Sequence, residues 1–206
     1  MAHSSPTRHR YRPRDILEAQ LRESYGRVVY SHKTHEKCAD ILLTRLGRIK
    51  FWQIALSAIA AAGFITAVFG PTAIASFLGL VVSTILLALN VYTKDYDLGE
   101  FSQKHRQAAA DLWAIRERYL SLLTDLATKS TPVKQIGLQR DYLIEQLQAV
   151  YAGAPSTTFQ AYKKAQAALK KLEDMTFTDA EIDAFLPAQL HRSSHHTQHP
   201  AQPAAA

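Results

Sequence analysis

Charge is missing from one long part of this chain, and cysteine from nearly all of it. Between Phe51 and Thr93 there is no Asp, Glu, Lys or Arg, although the 206-residue chain holds 24 Lys+Arg and 18 Asp+Glu. The single cysteine, Cys38, excludes an intrachain disulfide and suits a reducing compartment. It lies one helical turn from His35, but a lone cysteine on a helix is ordinarily packing. The short patterns of common catalytic folds are also missing: there is no P-loop, no glycine-rich dinucleotide turn, no HExxH and no Gly-x-Ser-x-Gly. No carboxylates pair inside the apolar segment. An enzyme would therefore lack a visible site, and no cofactor is expected. Residues 1–12 contain no apolar run, so a cleaved signal peptide is not expected either.

What the charge-free segment does contain is Leu, Ile, Val, Phe and Ala on every side, interrupted only by Gly70-Pro71. A hydrocarbon core about 30 Å thick calls for roughly 20 helical residues. Residues 51–69 and 72–92 each supply that length. A soluble helix would keep polar residues on its outer face. The expected fold is accordingly all-α, a membrane protein with a two-helix transmembrane hairpin, and the lipid bilayer is its first partner. Residues 1–50 carry 11 Lys+Arg against 5 Asp+Glu, whereas residues 94–206 are balanced at 13 each. Arg45, Arg48 and Lys50 abut the first span and Lys94 follows the second, so the positive-inside rule places both termini in the cytoplasm. Trp52, Tyr92 and Tyr96 fall at that same interface.

Outside the spans the pattern is helical. Leu21, Val28, His35, Leu42 and Ile49 repeat every seven residues, with Tyr25, His32, Ala39 and Leu46 four after each of the first four. Leu98, Phe101, His105, Ala108, Leu112, Ile115, Tyr119, Leu122 and Leu126 form a second seam. An antiparallel hairpin brings these two extensions out of the membrane side by side, and pairing buries both in a long cytosolic stalk. The expected organisation is a disordered basic N-terminus over 1–12, an amphipathic helix over 13–50, spans over 51–69 and 72–92, a helix over 94–128, further helices over 132–187 and a disordered tail over 188–206. Ser156 or Thr157 suits the cap of one C-terminal helix, and Thr178-Asp179-Ala180-Glu181 reads as a capping box.

Candidate chemistry is sparse. His32, His35 and His105 share the seams, and counting outward from the spans sets residue 35 level with residue 108. These three could ligate a metal, but a histidine at a heptad position is more often a hydrogen-bonded layer that fixes register. No metal is expected. Protonating such a layer near the ordinary imidazole pKa of about 6.5 would separate the helices. Arg8, Arg10, Arg12 and Arg14 could meet anionic lipid headgroups or nucleic acid, but four charges in a tail are weak evidence, and no nucleic-acid partner is expected. In the spans, Ala58, Ala62, Thr66 and Gly70 step by four, as do Ala75, Gly79 and Ser83, and small residues so spaced let helices approach closely in lipid. One stripe serves the hairpin and the other a homo-oligomer. Gln53, Ser57, Ser76, Thr84 and Asn90 are left as uncharged polar groups for a pore between subunits.

The segment Val28-Val29-Tyr30-Ser31-His32-Lys33-Thr34-His35-Glu36-Lys37, the charge-free hairpin, the long helix after it, Ala154-Pro155-Ser156-Thr157-Thr158 and Thr178–Pro187 together resemble the SLATT family. These are two-transmembrane effector domains associated with bacterial nucleotide-second-messenger systems, and the resemblance covers residues 14–187. It implies an effector of prokaryotic antiphage conflict systems in the bacterial inner membrane, oligomerising to permeabilise that membrane when a nucleotidyltransferase or second-messenger sensor encoded nearby signals. It implies no catalytic residue. The other expectation the residues allow is a passive anchor or scaffold that holds a cytosolic partner at the membrane.

Overall fold

The computed structural model describes residues 12–69, 73–171 and 177–186, with residues 65–69 and 185 as backbone alone. The Gly70-Pro71 turn, most of the basic N-terminus and the 188–206 tail lie outside the described residues. Every regular element among those described is an α-helix: α1 Pro13–Phe69, α2 Ala73–Asp95, α3 Leu98–Thr128, α4 Val133–Gly153, α5 Phe159–Lys171 and α6 Asp179–Phe185.

Helix α1 is 57 residues long, about 85 Å at 1.5 Å per residue, and passes from the heptad seam into the apolar run without a break. Pro13 opens it where a missing N–H costs nothing, and Asp15 lies in the first turn, where the helix dipole favours a carboxylate. Helix α2 continues to Asp95, and the chain turns at Tyr96–Asp97. The Asp97 carboxylate then accepts from Glu100 N–H at 2.8 Å and caps α3. Lys129 ends α3 in a left-handed conformation (φ 58°), its N–H returning to the Asp125 and Leu126 carbonyls. The Arg14 guanidinium donates to the Leu126 carbonyl as well, setting a cation at the C-terminal end of α3. This arginine of the basic cluster is part of the bundle.

The chain divides into two compact units, Met1–Ala165 and Gln166–Ala206. In the first, α3 packs along α1, α4 packs on α3, and α2 packs on the last part of α1. Leu21, Val28, Leu112, Tyr119, Leu126 and Ile136 are wholly buried where α1, α3 and α4 meet. Burial along the seam fades toward the apolar run, with Leu42, Leu46 and Ile49 only partly covered. The α3 seam departs from its expected course at one position. Phe101 is 46% exposed, and Ser102 takes the inward place, donating to the Ala39 carbonyl at 3.2 Å. Thr158, neither Ser156 nor Thr157, caps α5 by accepting from Ala161 N–H at 3.2 Å.

In the second unit, α6 begins with the capping box: Thr178 Oγ1 accepts from Glu181 N–H at 3.3 Å, and Glu181 Oε2 accepts from Thr178 N–H at 2.8 Å. Those bonds to Thr178 hold the Glu181 carboxyl below its usual pKa.

Leu112→Ala should remove about 2–5 kcal/mol from the bundle, as a fully buried leucine does when its site cannot collapse. Leu138→Ala, at an exposed position, should fall within about 0.5 kcal/mol of the parent. Thermal melts in detergent followed by circular dichroism measure both; coincident melting of the parent and Leu112→Ala would refute this core.

Candidate functional site

Two features of the first unit stand apart from an ordinary helical bundle. One is the apolar collar. From Phe51 to Phe64 on α1 and along all of α2, Leu, Ile, Val and Phe side chains stand exposed, Phe64 at 73% and Ile74 at 74%, and no residue of α2 is buried. Soluble monomers rarely show contiguous apolar patches beyond a few hundred Å². The region starting at Ala73 holds the one described helix long and apolar enough to cross a membrane, by length and composition. The apolar run of α1 ends among residues whose side chains are not described. At the bundle end of the collar, Arg45 lies over the Tyr92 ring at 5.5 Å, and the Tyr92 and Tyr96 rings stack at 5.1 Å.

The polar residues of the apolar segment are largely occupied within the chain. Gln53 Nε2 donates to Asn90 Oδ1 at 2.9 Å and to Thr93 Oγ1 at 3.2 Å, tying α1 to α2. Ser57 and Thr84 donate to carbonyls of their own helices, those of Gln53 and Leu80. Ser76 is exposed. Among the small residues, Ala75 and Gly79 are half-buried, whereas Ala58, Ala62 and Ser83 are exposed; the Thr66 side chain lies outside the description. Further from the bundle the two helices leave a groove of about 610 Å³, lined among others by Ala62, Gly63, Ala75, Gly79 and Ser83. A Cβ built on Gly79 meets nothing within 4 Å, so packing inside one chain does not require glycine there.

The second feature is a buried histidine layer. His35 on α1 and His105 on α3 face each other Nδ1 to Nδ1 at 2.9 Å, with ring centroids 5.0 Å apart and planes at 47°. A neutral pair with this contact has one ring protonated at Nδ1 as donor and the other at Nε2, its bare Nδ1 accepting. His32, one turn earlier, does not join them. Its Nε2 lies 3.6 Å from Glu36, and its buried Nδ1 has no partner. The three-histidine metal set therefore does not assemble, and among the described residues no group of three His, Cys, Asp or Glu gathers for a metal.

Burial, followed by the nearby His105 and His32 rings, pushes the His35 pKa down to about 4. Burial lowers His105 too, and it lowers His32 against the opposing pull of Glu36. On α3, the Tyr119 hydroxyl is raised above its ordinary value by burial. The His35 imidazole thus stays neutral well below the pH at which free histidine charges.

Two cavities flank this layer, divided by the α4–α5 loop. One, of about 340 Å³, is lined by Tyr30, Ser31, Thr34 and His35 of α1, by Tyr151, by Ala154–Thr157 of the loop and by Tyr162 of α5. The other, of about 450 Å³, is lined by Cys38, Ile41, Leu42, Phe101, His105, Pro155, Ser156 and Thr158. No periodicity in the sequence points to these cavities, but two of the segments that carry the family resemblance, Val28–Lys37 and Ala154–Thr158, supply most of the lining of the first.

The pH dependence follows from the sign of the His35 shift. Between pH 6.5 and about 4 the unfolded chain binds a proton at His35 that the folded chain refuses, so folding stability present above pH 6.5 is lost progressively as the pH falls to about 4. Helix separation is thereby moved below the window expected for an unperturbed imidazole. His35→Gln should flatten this part of the melting-temperature profile, and the two profiles running parallel between pH 6.5 and 4 would contradict the assignment.

No curated protein and no solved structure matches the chain. A family model does, over residues 17–181, and with the two-helix apolar segment and the all-helical fold it shows that the chain belongs to family 4 of the SMODS and SLOG-associating 2TM effector domains.

Proposed function

We propose that this protein is a membrane effector of a prokaryotic conflict system: two spans, both termini in the cytoplasm, and a bundle of α1, α3 and α4 that keeps an oligomeric channel closed until a cytosolic signal rearranges it. The observation that carries this reading is the exposed apolar collar, continuous through α1 with a well-buried bundle and bounded at one end by Arg45, Arg48, Lys50 and Lys94. The collar suits lipid, and the cations suit the cytoplasmic face of the bacterial inner membrane. Family membership supports the effector role. A nucleotidyltransferase or second-messenger sensor encoded beside this protein would supply the signal.

A second reading has an observation of its own. Because Gln53 donates to Asn90 within one chain, part of the polarity of the spans is already used inside the hairpin, which favours a passive anchor holding a cytosolic partner. Production in a bacterium with a membrane-potential dye and propidium separates the two. A permeabiliser should depolarise the cells, alone at high level or together with its activating partner. Asn90→Leu should weaken depolarisation at unchanged expression. An intact potential under every condition would leave the anchor.

Assembly and topology have separate tests. Gly79→Leu enters a groove that is open in the single chain, so it should leave the thermal melt within about 0.5 kcal/mol while shifting the mass distribution in detergent toward monomer. Monomers of the parent at all concentrations, or an oligomer indifferent to this change, would remove the oligomer from the proposal. For topology, Gly70→Cys should be blocked by an impermeant thiol reagent on intact cells and Ser193→Cys should not; the reverse would invert the protein.

A further inference from the structure

The 340 Å³ cavity over His35 differs from the apolar groove between the spans in having a buried histidine, three tyrosines, two serines and two threonines in its lining. His35 is 3% exposed and lines the cavity, and its Nδ1 is committed to His105. Its remaining nitrogen, Nε2, has no hydrogen-bond partner in the protein among the described residues. An imidazole nitrogen with no partner in the protein is free to hydrogen-bond a guest as donor or acceptor, according to the tautomer.

The rest of the lining limits what that ligand is. No Lys, Arg, Asp or Glu lines the cavity, so a phosphate or carboxylate placed there would lose its hydration with no counter-charge. Two phenol rings, Tyr30 and Tyr162, bound it with centroids 6.1 Å apart and planes tilted at 32°, offering flat faces to a flat guest. The hydroxyls are of both kinds. Ser31 Oγ accepts from the Tyr151 hydroxyl at 2.8 Å and keeps its own proton to donate. Thr34 Oγ1 donates to the Tyr30 carbonyl at 2.7 Å and keeps lone pairs to accept. The volume lies at the small end of ligand sites, which run from about 300 to 1,000 Å³.

We infer that this cavity binds an uncharged, planar nitrogen heterocycle of nucleobase size, stacked on Tyr162 or Tyr30, with one acceptor on the His35 Nε2–H and a mixed donor and acceptor edge on Ser31 and Thr34. Any charged substituent of the ligand stays outside the cavity. Binding sets the tautomer of the histidine pair. If His35 carries its proton on Nε2 to donate to the ligand, its Nδ1 is bare, and His105 must donate from Nδ1. The bare Nε2 of His105 then belongs to the second cavity, beside Cys38 and Phe101. No proton is gained or lost, but the hydrogen-bonding character of the second cavity follows occupancy of the first. This binding does not depend on what the spans do.

The test uses the full chain in detergent micelles, titrated with adenosine, guanosine, cytidine and uridine, and with glucose and inorganic phosphate as controls. At least one nucleoside should bind saturably by calorimetry, and Tyr162→Leu, at a half-exposed position that tolerates change, should weaken it at least tenfold with an unchanged melt. Nitrogen-15 spectra of labelled histidine should show His35 Nε2 becoming protonated and His105 Nε2 unprotonated as ligand is added. Saturable binding of glucose or phosphate alone, failure of all four nucleosides to bind at millimolar concentration, an affinity indifferent to Tyr162→Leu, or binding that leaves the histidine nitrogens unmoved would each overturn the proposal.

Discussion

The unbroken hydrogen-bond ladder of α1 is the constraint on which the first unit depends. Backbone groups can enter an apolar environment only when satisfied within the segment, and a helix meets that condition without help from neighbours. Because no proline follows Pro13 before Phe69, the same helix serves two surroundings in turn. Its first part buries a heptad seam against α3 and α4. Its last part presents apolar side chains outward and packs against α2. The positions of α2 and α3 are therefore both measured from one rigid rod, and the Tyr96–Asp97 break is the only joint between them.

An apolar seam alone would leave the register along that rod weakly specified, since Leu and Val layers resemble one another at every repeat. Two buried polar contacts between α1 and α3 remove the degeneracy: His35 to His105, and Ser102 to the Ala39 carbonyl. Each such bond contributes roughly 0.5–1.5 kcal/mol net, but a register slip would strand buried partners at about 1–3 kcal/mol per group. The penalty for the wrong register exceeds the gain for the right one, and polar layers in helical seams act in this way.

The helical segments and the apolar run were legible because each depends on local pattern: charge absent from Phe51 to Thr93, apolar residues at three and four, and a Thr-x-x-Glu box at Thr178. What escaped depends on paths through space. Counting residues from the span ends pairs position 35 with 108, three beyond the His105 observed. Asp97 stands in a tight turn (φ −74°, ψ 84°), with Leu98 N–H donating to the Tyr96 carbonyl at 2.9 Å, so α3 does not continue the rise of α2 and a counting rule that assumes helix throughout fails there. Phe101 and Ser102 both fit a repeat of three and four; which one turns inward is decided by the contact α3 makes with α1 at Ala39. The cavities escaped for the same reason. Tyr30, Tyr151 and Tyr162 are far apart in the chain and come together only because the loop from Ala154 to Thr158 crosses the histidine layer.

That crossing places the histidine layer of the bundle on the helix that continues into the apolar segment. From His35 to Gln53 is 18 residues of uninterrupted helix, about 27 Å and five turns, with no proline or bulge to absorb a rotation. α3 reaches α2 only through the non-helical Tyr96–Asp97 link, braced by the Asp97 cap. α1 is therefore the unbroken path from the histidines to the apolar helices, whereas the path through α3 is interrupted by that link. The path along α1 arrives at the Gln53, Asn90 and Thr93 contact, where the two apolar helices are tied together. The stiffness that fixes the register is thus also what would let an event beside His35 be felt in the collar.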